Sequence, residues 1–262
     1  MIWSEKLMGQ GMSNKAFWGI LAVVVVATVG VFVFFNRSGS TIDNNNSGNK
    51  EEILKITEKD HVFGNPEAEV TVVEYADFQC PYCQAAYPVL KTALVQSPDD
   101  FKLVFRHFPL TTIHPNAMTA HRGAEAAGLQ GKFNEMHDLL YERHAEWTEA
   151  QDPTVLVSGY AKELGLDMDK YNEDVNSNEV FEVINSSLEA GNSIGVESTP
   201  TIFVNGTKLD RAPSTVEEFL AVIAKAKAGE DPNTGLLSSE ELQELLKQSQ
   251  EAQQPGESRA ED

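Results

Sequence analysis

The amino-acid sequence predicts an α/β fold that carries a helical insertion and follows one N-terminal transmembrane helix. An apolar, β-branched run at Val70–Ala76 has the composition of a buried strand, and a helical pattern follows it. From Pro115 to about Asn192 apolar residues recur at helical spacing, and the chain then returns to a short strand at Thr201–Val204. Strands and helices in this order are typical of a sheet with helices packed on its faces.

Composition limits the domain count and the partners. The chain has 262 residues, of which 41% are hydrophobic, enough for the core of one ordinary domain with appendages. The formal net charge of -20 argues against nucleic acid as a partner and against broad binding to anionic lipid. Attachment to a membrane would therefore need an apolar segment.

Residues 16–35 provide such a segment. They carry no charge, and 20 residues of helix span about 30 Å, the thickness of a bilayer core. A cleavable signal peptide is the alternative, because Lys6 and Lys15 precede the run. Secretory apolar regions are shorter, however, and end at an Ala-x-Ala-like site, which does not follow Phe35. We therefore expect a single-pass anchor in the cell membrane, with residues 1–15 in the cytoplasm and the rest outside it.

Two further segments differ in composition from a folded domain. Residues 36–52 are rich in Ser, Gly and Asn and predict a flexible linker. Residues 229–262 are rich in Glu, Gln and Ser and predict an acidic, mostly disordered tail, in which Ser238 can begin a short helix to about Gln250. The folded domain is thus predicted at residues 53–228.

The chain has two cysteines, and they stand in the motif Asp77-Phe78-Gln79-Cys80-Pro81-Tyr82-Cys83, directly after the Val70–Ala76 strand. Pro81 suits the first turn of a helix, because its missing N–H would have no partner there. Cys80 would then lie at a helix N-terminus, where free N–H groups and the helix dipole favour a thiolate. Cys83, one turn later, is close enough to form a disulfide with Cys80. The motif predicts a redox-active pair with Cys80 as the nucleophile.

Other uses of the two cysteines are possible. A structural zinc site needs four ligands, but the chain has no further cysteine and its six histidines are scattered along the sequence. Two buried structural cysteines are a second alternative, which the intervening Pro81-Tyr82 and the preceding strand argue against. We expect neither a metal nor an organic cofactor.

The cysteine motif resembles the active site of the DsbA-like thiol:disulfide oxidoreductases of the thioredoxin superfamily, especially the membrane-anchored bacterial kind. Further segments are similar to parts of that family: Glu74, Pro88, His114-Pro115-Asn116-Ala117, Gly131–Leu140 and Val196–Gly206. The resemblance implies a thioredoxin fold with a helical insertion at about residues 111–192. It also implies that Thr199–Pro200 is a cis peptide bond beside Cys80 that controls release of substrate.

Glu74 matches the acidic residue that the family buries beneath the disulfide. The resemblance implies that it accepts protons, whereas the alternative is a hydrogen-bonded strand carboxylate without a redox role. The next strand, Phe101–Arg106, completes a βαβ unit. Either Lys102 or Arg106 could face Glu74 from that strand, or both could be solvated charges at its edge.

The remaining elements follow from local signals. Ile53–Ile56 is predicted as a short edge strand, and Asn205-Gly206 as the turn of a hairpin that ends at Lys208-Leu209. The last helix is predicted at Thr215–Ala228. In a capping box at its start, Thr215 is the N-cap residue and Glu218 occupies the third helical position.

The expected function is a membrane-tethered oxidase of thiols in exported proteins. A substrate thiolate would attack the Cys80 sulfur of the enzyme's disulfide, and a second substrate thiolate would resolve the mixed disulfide. The resemblance suggests reoxidation by a quinone-linked membrane protein of the DsbB or vitamin K epoxide reductase type. A reductase or isomerase would use the same residues, and the Pro81-Tyr82 dipeptide, which recurs in glutaredoxins, leaves the direction open. A non-catalytic adaptor or chaperone is an alternative of another class, although the retained cysteines argue against it.

Overall fold

The computed structural model describes residues 46–238 and, beyond them, residues 240, 241, 243, 244 and 247. The chain divides into two units, residues 1–47 and 48–262, and nearly all of the described residues belong to the second. The predicted transmembrane helix at residues 16–35 lies outside the described residues. Within the described part of the chain, no helix is both long and apolar enough to cross a membrane.

A mixed sheet forms the centre of the domain. Among the described residues it contains five strands in the order β1-β3-β2-β4-β5. Their bounds are β1 His61–Gly64, β2 Val70–Ala76, β3 Phe101–His107, β4 Thr201–Val204 and β5 Thr207–Lys208. The pair β2–β3 is parallel and the other neighbours are antiparallel. The central strand β2 is paired on both edges, which explains why its sequence is an almost unbroken apolar run.

Helices cover the sheet and form the insertion. The described helices are α1 Asn46–Leu54, α2 Pro81–Gln96, α3 Ala117–Gly128, α4 Phe133–Glu142, α5 His144–Trp147, α6 Thr154–Glu163, α7 Met168–Asp174, α8 Asn178–Ser193 and α9 Val216–Lys227, followed by a 3-10 helix at Pro232–Gly235. Helices α3–α8 lie between β3 and β4, where the sequence predicted the insertion. The α/β fold with a helical insertion is confirmed.

The two faces of the sheet belong to different parts of the core. Val70 and Val72 pack with residues of α2 and α9, whereas Val73 and Tyr75 pack with Val104 and Phe108 on the other face. A third cluster joins the end of β2 and both cysteines to α3, α4 and α6 of the insertion. The insertion therefore forms one wall around the cysteines.

Two predicted local structures are confirmed in different degrees. Asn205 and Gly206 have φ values of 46° and 83°, as a tight hairpin turn of the primed type requires. Thr215 caps α9, since its hydroxyl accepts a hydrogen bond from the Glu218 N–H at 3.2 Å. The Glu218 carboxylate, however, accepts from the N–H of Ser214 rather than from that of Thr215, so half of the predicted capping box forms.

The start of the domain differs from the prediction. Residues 46–54 form helix α1, so Ile53–Ile56 is not a strand and the described end of the predicted linker is helical. Strand β1 is His61–Gly64 instead, and it pairs with β3. Ile53 and Ile56 pack against the cluster that contains Val73. Their apolar character therefore serves packing against the sheet and not strand pairing.

The end of the domain also differs, because it extends past residue 228. Pro232 and Gly235 are buried, and Leu236 packs against the cluster that contains α9. Leu237 donates its N–H to the Glu218 carboxylate at 2.7 Å. The first nine residues of the predicted tail, 229–237, are thus part of the folded domain. Beyond them Ser238 and Glu241 exchange hydrogen bonds as a capping box, consistent with the short helix predicted to begin there.

Candidate active site

The turn between β2 and α2 positions Cys80. Strand β2 ends at Ala76 and helix α2 begins at Pro81, so Cys80 is the N-cap residue, with φ −70° and ψ 123°. The N–H groups of Gln79 and Cys80 donate to the side chain and the carbonyl of Asp77, at 2.8 and 3.0 Å. Cys80 and Cys83 are free thiols, 3% and 1% exposed.

The environment of Cys80 favours its thiolate. The Cys83 thiol hydrogen-bonds the Cys80 sulfur and, together with the backbone N–H groups of Cys83 and Tyr82, lowers the pKa of Cys80 to about 5 despite burial. The helix N-terminus contributes because its first N–H groups have no partner within the helix. At pH 7 the ionised form of Cys80 therefore predominates.

The environment of Cys83 has the opposite effect. Burial raises the pKa of Cys83 well above its ordinary value, and the hydrogen bond to Cys80 and the electrostatic interactions with Glu74 and Cys80 raise it further. A low-pKa thiolate beside a high-pKa thiol is the asymmetry that a nucleophile and a resolving cysteine require.

The loop before β4 lies beside Cys80. The Thr199–Pro200 peptide bond is cis, as predicted. The Cys80 sulfur is 3.3 Å from the carbonyl oxygen of Thr199, to which its thiol donates when protonated. Segments that are 119 residues apart in the sequence thus meet at the cysteine pair.

A groove of about 560 Å³ borders this loop and the start of α2. Tyr82, Thr199 and Pro200 line one part of it, and the loop from Asp210 to Ser214 lines another. Tyr82 is 74% exposed although it lies between the two cysteines. The groove therefore offers an extended polypeptide both an aromatic surface and backbone groups next to Cys80.

Glu74 lies on the central strand and is 3% exposed. Burial and the negative charge of Cys80 raise its pKa to about 8, so it holds a proton at pH 7. It lines a cavity of about 180 Å³ together with Tyr87, Lys91, His137 and Tyr141. The Lys91 side chain, which borders the same cavity, is 43% exposed to solvent.

The prediction that Lys102 or Arg106 faces Glu74 is wrong. In the register of β2 and β3, Glu74 pairs with Phe105, whereas Tyr75 pairs with Arg106 and Thr71 with Lys102. Successive side chains alternate between the faces of a sheet, so both cations lie on the face opposite Glu74. Arg106 binds Asp60 at 2.8 Å, and Lys102 donates to the carbonyl of Ala68 at 2.8 Å.

Asp77 and Gln79, two polar residues of the cysteine motif, have structural roles that the sequence did not predict. The Asp77 carboxylate accepts hydrogen bonds from the N–H of Leu110 and from His114, both at 2.8 Å. Although burial opposes it, contact with His121 and these donors lower the pKa of Asp77 to about 2. Gln79 links the cysteine turn to the insertion through the N–H of Asn116, at 2.7 Å. In the sequence, only the closeness of both residues to Cys80 could have indicated these roles.

The central strand, the cysteine pair at a helix start, the cis-proline loop and the inserted helices together define a thioredoxin fold with a helical insertion. A family model described as Thioredoxin matches residues 56–225, and the chain belongs to that family.

Solved structures show the same fold. A thioredoxin-like oxidoreductase from Silicibacter pomeroyi DSS-3 has 24% identity and a TM-score of 0.50, over 80% of this chain and 98% of that one. Alpha-DsbA1 of Wolbachia pipientis has 21% identity and a TM-score of 0.59, over 69% and 96%. BdbD of Bacillus subtilis has 20% identity and a TM-score of 0.55, over 64% and 92%. At these identities the similarity concerns the fold.

Curated relatives are more similar in sequence but much longer. Na(+)/H(+) antiporter NhaA 1 of Salinispora arenicola is 40% identical over 172 residues, which are 66% of this chain and 25% of that protein. Na(+)/H(+) antiporter NhaA 3 of Salinispora tropica is 36% identical over 224 residues, 82% of this chain and 33% of that protein. The chain thus spans about a quarter to a third of the length of these relatives.

Proposed function

We propose that the protein is a membrane-tethered thiol:disulfide oxidoreductase that oxidises cysteine pairs of exported proteins on the extracytoplasmic side of the cell membrane. The observation that supports it is the contrast within the pair: Cys80 is a stabilised thiolate with a pKa of about 5, and Cys83 is a shielded thiol. Thioredoxin-family membership and the DsbA-like fold support thiol–disulfide exchange as the chemistry.

The reaction begins from the Cys80–Cys83 disulfide. A substrate thiolate attacks the Cys80 sulfur, a substrate–Cys80 disulfide forms, and Cys83 leaves as a thiolate. A second substrate thiolate then attacks the substrate sulfur of this mixed disulfide and releases Cys80 as a thiolate. The substrate loses two electrons and gains a disulfide, and the enzyme is left with two reduced cysteines.

Stabilisation of the Cys80 thiolate favours this direction. A pKa that falls from 9.0 to about 5 stabilises the reduced enzyme at pH 7 by at most about 3 kcal/mol, which raises the two-electron potential by roughly 60 mV. Thiolate stability thus makes the disulfide form a stronger oxidant than an unperturbed pair would be.

Glu74 supplies a proton to the Cys83 thiolate that leaves in the first step. Cys83 leaves as a thiolate in a buried position that strongly favours the neutral thiol. Glu74, which interacts electrostatically with Cys83, is protonated at pH 7. Proton transfer from Glu74 toward Cys83 would neutralise the leaving group, and the cavity at Lys91 would return the proton from solvent.

Turnover requires an electron acceptor. The reduced Cys80–Cys83 pair must pass two electrons to a partner, for which we propose a quinone-linked membrane protein of the DsbB or vitamin K epoxide reductase type. The groove beside Pro200 and Tyr82 would accept a segment of substrate or partner in extended conformation.

The equilibrium potential against glutathione tests the direction of the reaction. We expect a value well above the roughly −270 mV of thioredoxin and nearer to the roughly −120 mV of DsbA. A potential near −270 mV would instead support the reductase, which the Pro81-Tyr82 dipeptide keeps as a second candidate. Turnover of a dithiol peptide by the wild type but not by Cys80→Ser separates either enzyme from a non-catalytic adaptor.

Membrane attachment needs its own experiment. We expect the full chain in the membrane fraction of cells and a variant without residues 1–37 in the soluble fraction. A full-length chain that is cut near residue 40 and recovered in a soluble extracytoplasmic fraction would support a signal peptide instead.

A further inference from the structure

A second polar cluster lies apart from the cysteines and consists of His61, His107 and Glu125. His61 begins β1, His107 ends β3, and Glu125 projects from α3. The Nε2 atoms of His61 and His107 lie 2.6 and 2.5 Å from the same carboxylate oxygen, Oε1 of Glu125. Three candidate ligand atoms therefore converge, all within 4.8 Å of one another.

The donor set matches a particular kind of metal. Two imidazole nitrogens and one carboxylate oxygen form the three-ligand set of open zinc sites, in which solvent occupies the fourth position. His107 and Glu125 are buried, and the side chain of His61 is 19% exposed. The cluster therefore combines fixed ligands with one that solvent can reach.

The surroundings of His107 provide an independent observation. Its Nδ1 atom lies 2.6 Å from Nδ1 of His121. The other nitrogen of His121, Nε2, is 3.7 Å from the Asp77 carboxylate and, among the described residues, has no hydrogen-bond partner although His121 is fully buried. Such an orphaned nitrogen needs an explanation.

A bound cation would give every nitrogen of His107 and His121 a partner in the series Glu125, His107, His121 and Asp77. Without a cation, His107 donates from Nε2 to the Glu125 carboxylate and accepts at Nδ1 from His121. The Nε2 atom of His121, 3.7 Å from the Asp77 carboxylate, is then left without a hydrogen-bond partner among the described residues. With a cation on Nε2 of His107, the Nδ1–H of His107 donates to His121, and the Nε2–H of His121 points at Asp77. Metal-ligating histidines commonly have this kind of partner on the second nitrogen.

The cluster is accessible. A cavity of about 220 Å³ is lined by His61, His107 and Glu125, which is ample for an ion with bound water. Arg106 lines the same cavity, but it is paired with Asp60 at 2.8 Å. Its charge is therefore already compensated.

We propose that His61, His107 and Glu125 bind one divalent transition-metal ion, of which Zn²⁺ fits the donor set best, with solvent as the fourth ligand. His121 is a positioning residue for this site, since it orients His107 and contacts no metal. The proposal does not depend on the direction of the thiol chemistry, because neither cysteine takes part.

The test uses the full chain with Cys80 and Cys83 oxidised, so that no thiolate can bind metal. Titration calorimetry with ZnCl₂, and metal analysis after dialysis, should give one ion per chain. His61→Gln keeps a hydrogen-bond donor for Glu125 and lies at the partly exposed rim, so it should fold, which circular dichroism checks. It should lose stoichiometric binding. The matched control is His144→Gln, a histidine outside the cluster, which should bind one ion as the wild type does.

Two further readouts separate this site from accidental binding. Co²⁺ should produce the visible bands of an N/O site without thiolate charge transfer, also in Cys80→Ser/Cys83→Ser. His121→Phe, which fits the aromatic surroundings of that ring, should weaken zinc binding about 10–100-fold. Absence of stoichiometric binding to the oxidised wild type, or equal binding by His61→Gln and His144→Gln, would overturn the proposal.

Discussion

At the scale of single residues, the proposed chemistry depends on the contrast between Cys80 and Cys83. Both are buried cysteines within one turn of helix, but Cys80 receives hydrogen bonds at the helix start whereas Cys83 is enclosed by the core. Each thiol acts on the other, because the bond from Cys83 stabilises negative charge on Cys80. The proposed nucleophile and the proposed resolving residue are therefore a coupled pair.

This coupling predicts the effect of Cys83→Ala. Since the Cys83 thiol is the largest cause of the lowered pKa of Cys80, its removal should move the midpoint of Cys80 alkylation from about pH 5 to a clearly higher pH. The pH dependence of iodoacetamide labelling measures this. Tyr82→Phe keeps its backbone N–H and should leave the midpoint near pH 5. An unchanged midpoint in Cys83→Ala, or faster labelling of Cys83 than of Cys80 in the wild type, would contradict the assignment.

Glu74 predicts a pH dependence of stability. Its pKa is raised from 4.5 to about 8 in the folded state, so folded protein retains a proton that unfolded protein releases. The resulting stabilisation is complete below pH 4.5 and is lost as pH rises toward 8. Glutamine stays neutral, so Glu74→Gln should not lose this stabilisation. The free energy of unfolding of the variant minus that of the wild type should therefore be a few kcal/mol larger at pH 8 than at pH 5.

Urea unfolding of the reduced proteins at the two pH values measures this difference. Glu67→Gln, a change at an exposed carboxylate, is the control and should show no such trend. A Glu74→Gln variant whose stability relative to the wild type is equal at pH 5 and pH 8 would mean that Glu74 is ionised in the fold.

At the scale of helices and strands, close packing of the insertion encloses the cysteines. Helices α3 and α6 meet at Gly123, where a Cβ atom would overlap the Val157 side chain and lie 2.9 Å from the Tyr171 hydroxyl oxygen. The cluster that contains Val157 and Tyr171 also contains both cysteines. The short distance between these helices therefore depends on the absence of a side chain.

Two helical glycines allow a matched comparison. Gly159, in α6, has open space where its Cβ atom would lie, so Gly159→Ala should stabilise the protein by about 0.5–1 kcal/mol through helix propensity. Gly123→Ala gains the same propensity but overpacks the contact, which costs about 1–3 kcal/mol, and it should be destabilising on balance. Thermal or urea unfolding decides the signs. Two stabilising changes would show that α3 and α6 separate without cost.

At the scale of the whole molecule, the C-terminal segment completes the domain. Glu218 is 2% exposed, and its carboxylate is held by Arg211, by the N–H of Ser214 and by the N–H of Leu237. Arg211 in turn donates to the carbonyl of Leu237 at 2.7 Å. Residues beyond Gly229 thus satisfy a buried charge that the last helix contributes.

A chain that ends at residue 229 should therefore be less stable than one that ends at residue 238. It loses a partner of the buried Glu218 carboxylate and exposes the surface under Pro232 and Leu236, which together should cost at least about 2 kcal/mol. Free energies of unfolding of the two shortened chains measure the difference. Equal free energies of unfolding would mean that the domain ends at residue 228, as the sequence predicted.

The sequence by itself determined the features that depend on neighbours along the chain. The β-branched run before Cys80, Pro81 in the first helical turn and Asn205-Gly206 in the hairpin each have a local physical cause, and the structure shows them as predicted. The resemblance of the cysteine motif added the insertion and the cis Thr199–Pro200 bond.

Only the tertiary structure decided the features that depend on register and on contacts between distant segments. The side of the sheet that Arg106 faces follows from its pairing with Tyr75, and a shift of one residue would reverse it. His61, His107 and Glu125 look scattered in the sequence because a strand start, a strand end and a helix bring them together. The extension of the domain past Gly229 likewise depends on a buried carboxylate 19 residues before Leu237. Local pattern determines the elements, whereas packing determines which of their polar groups meet.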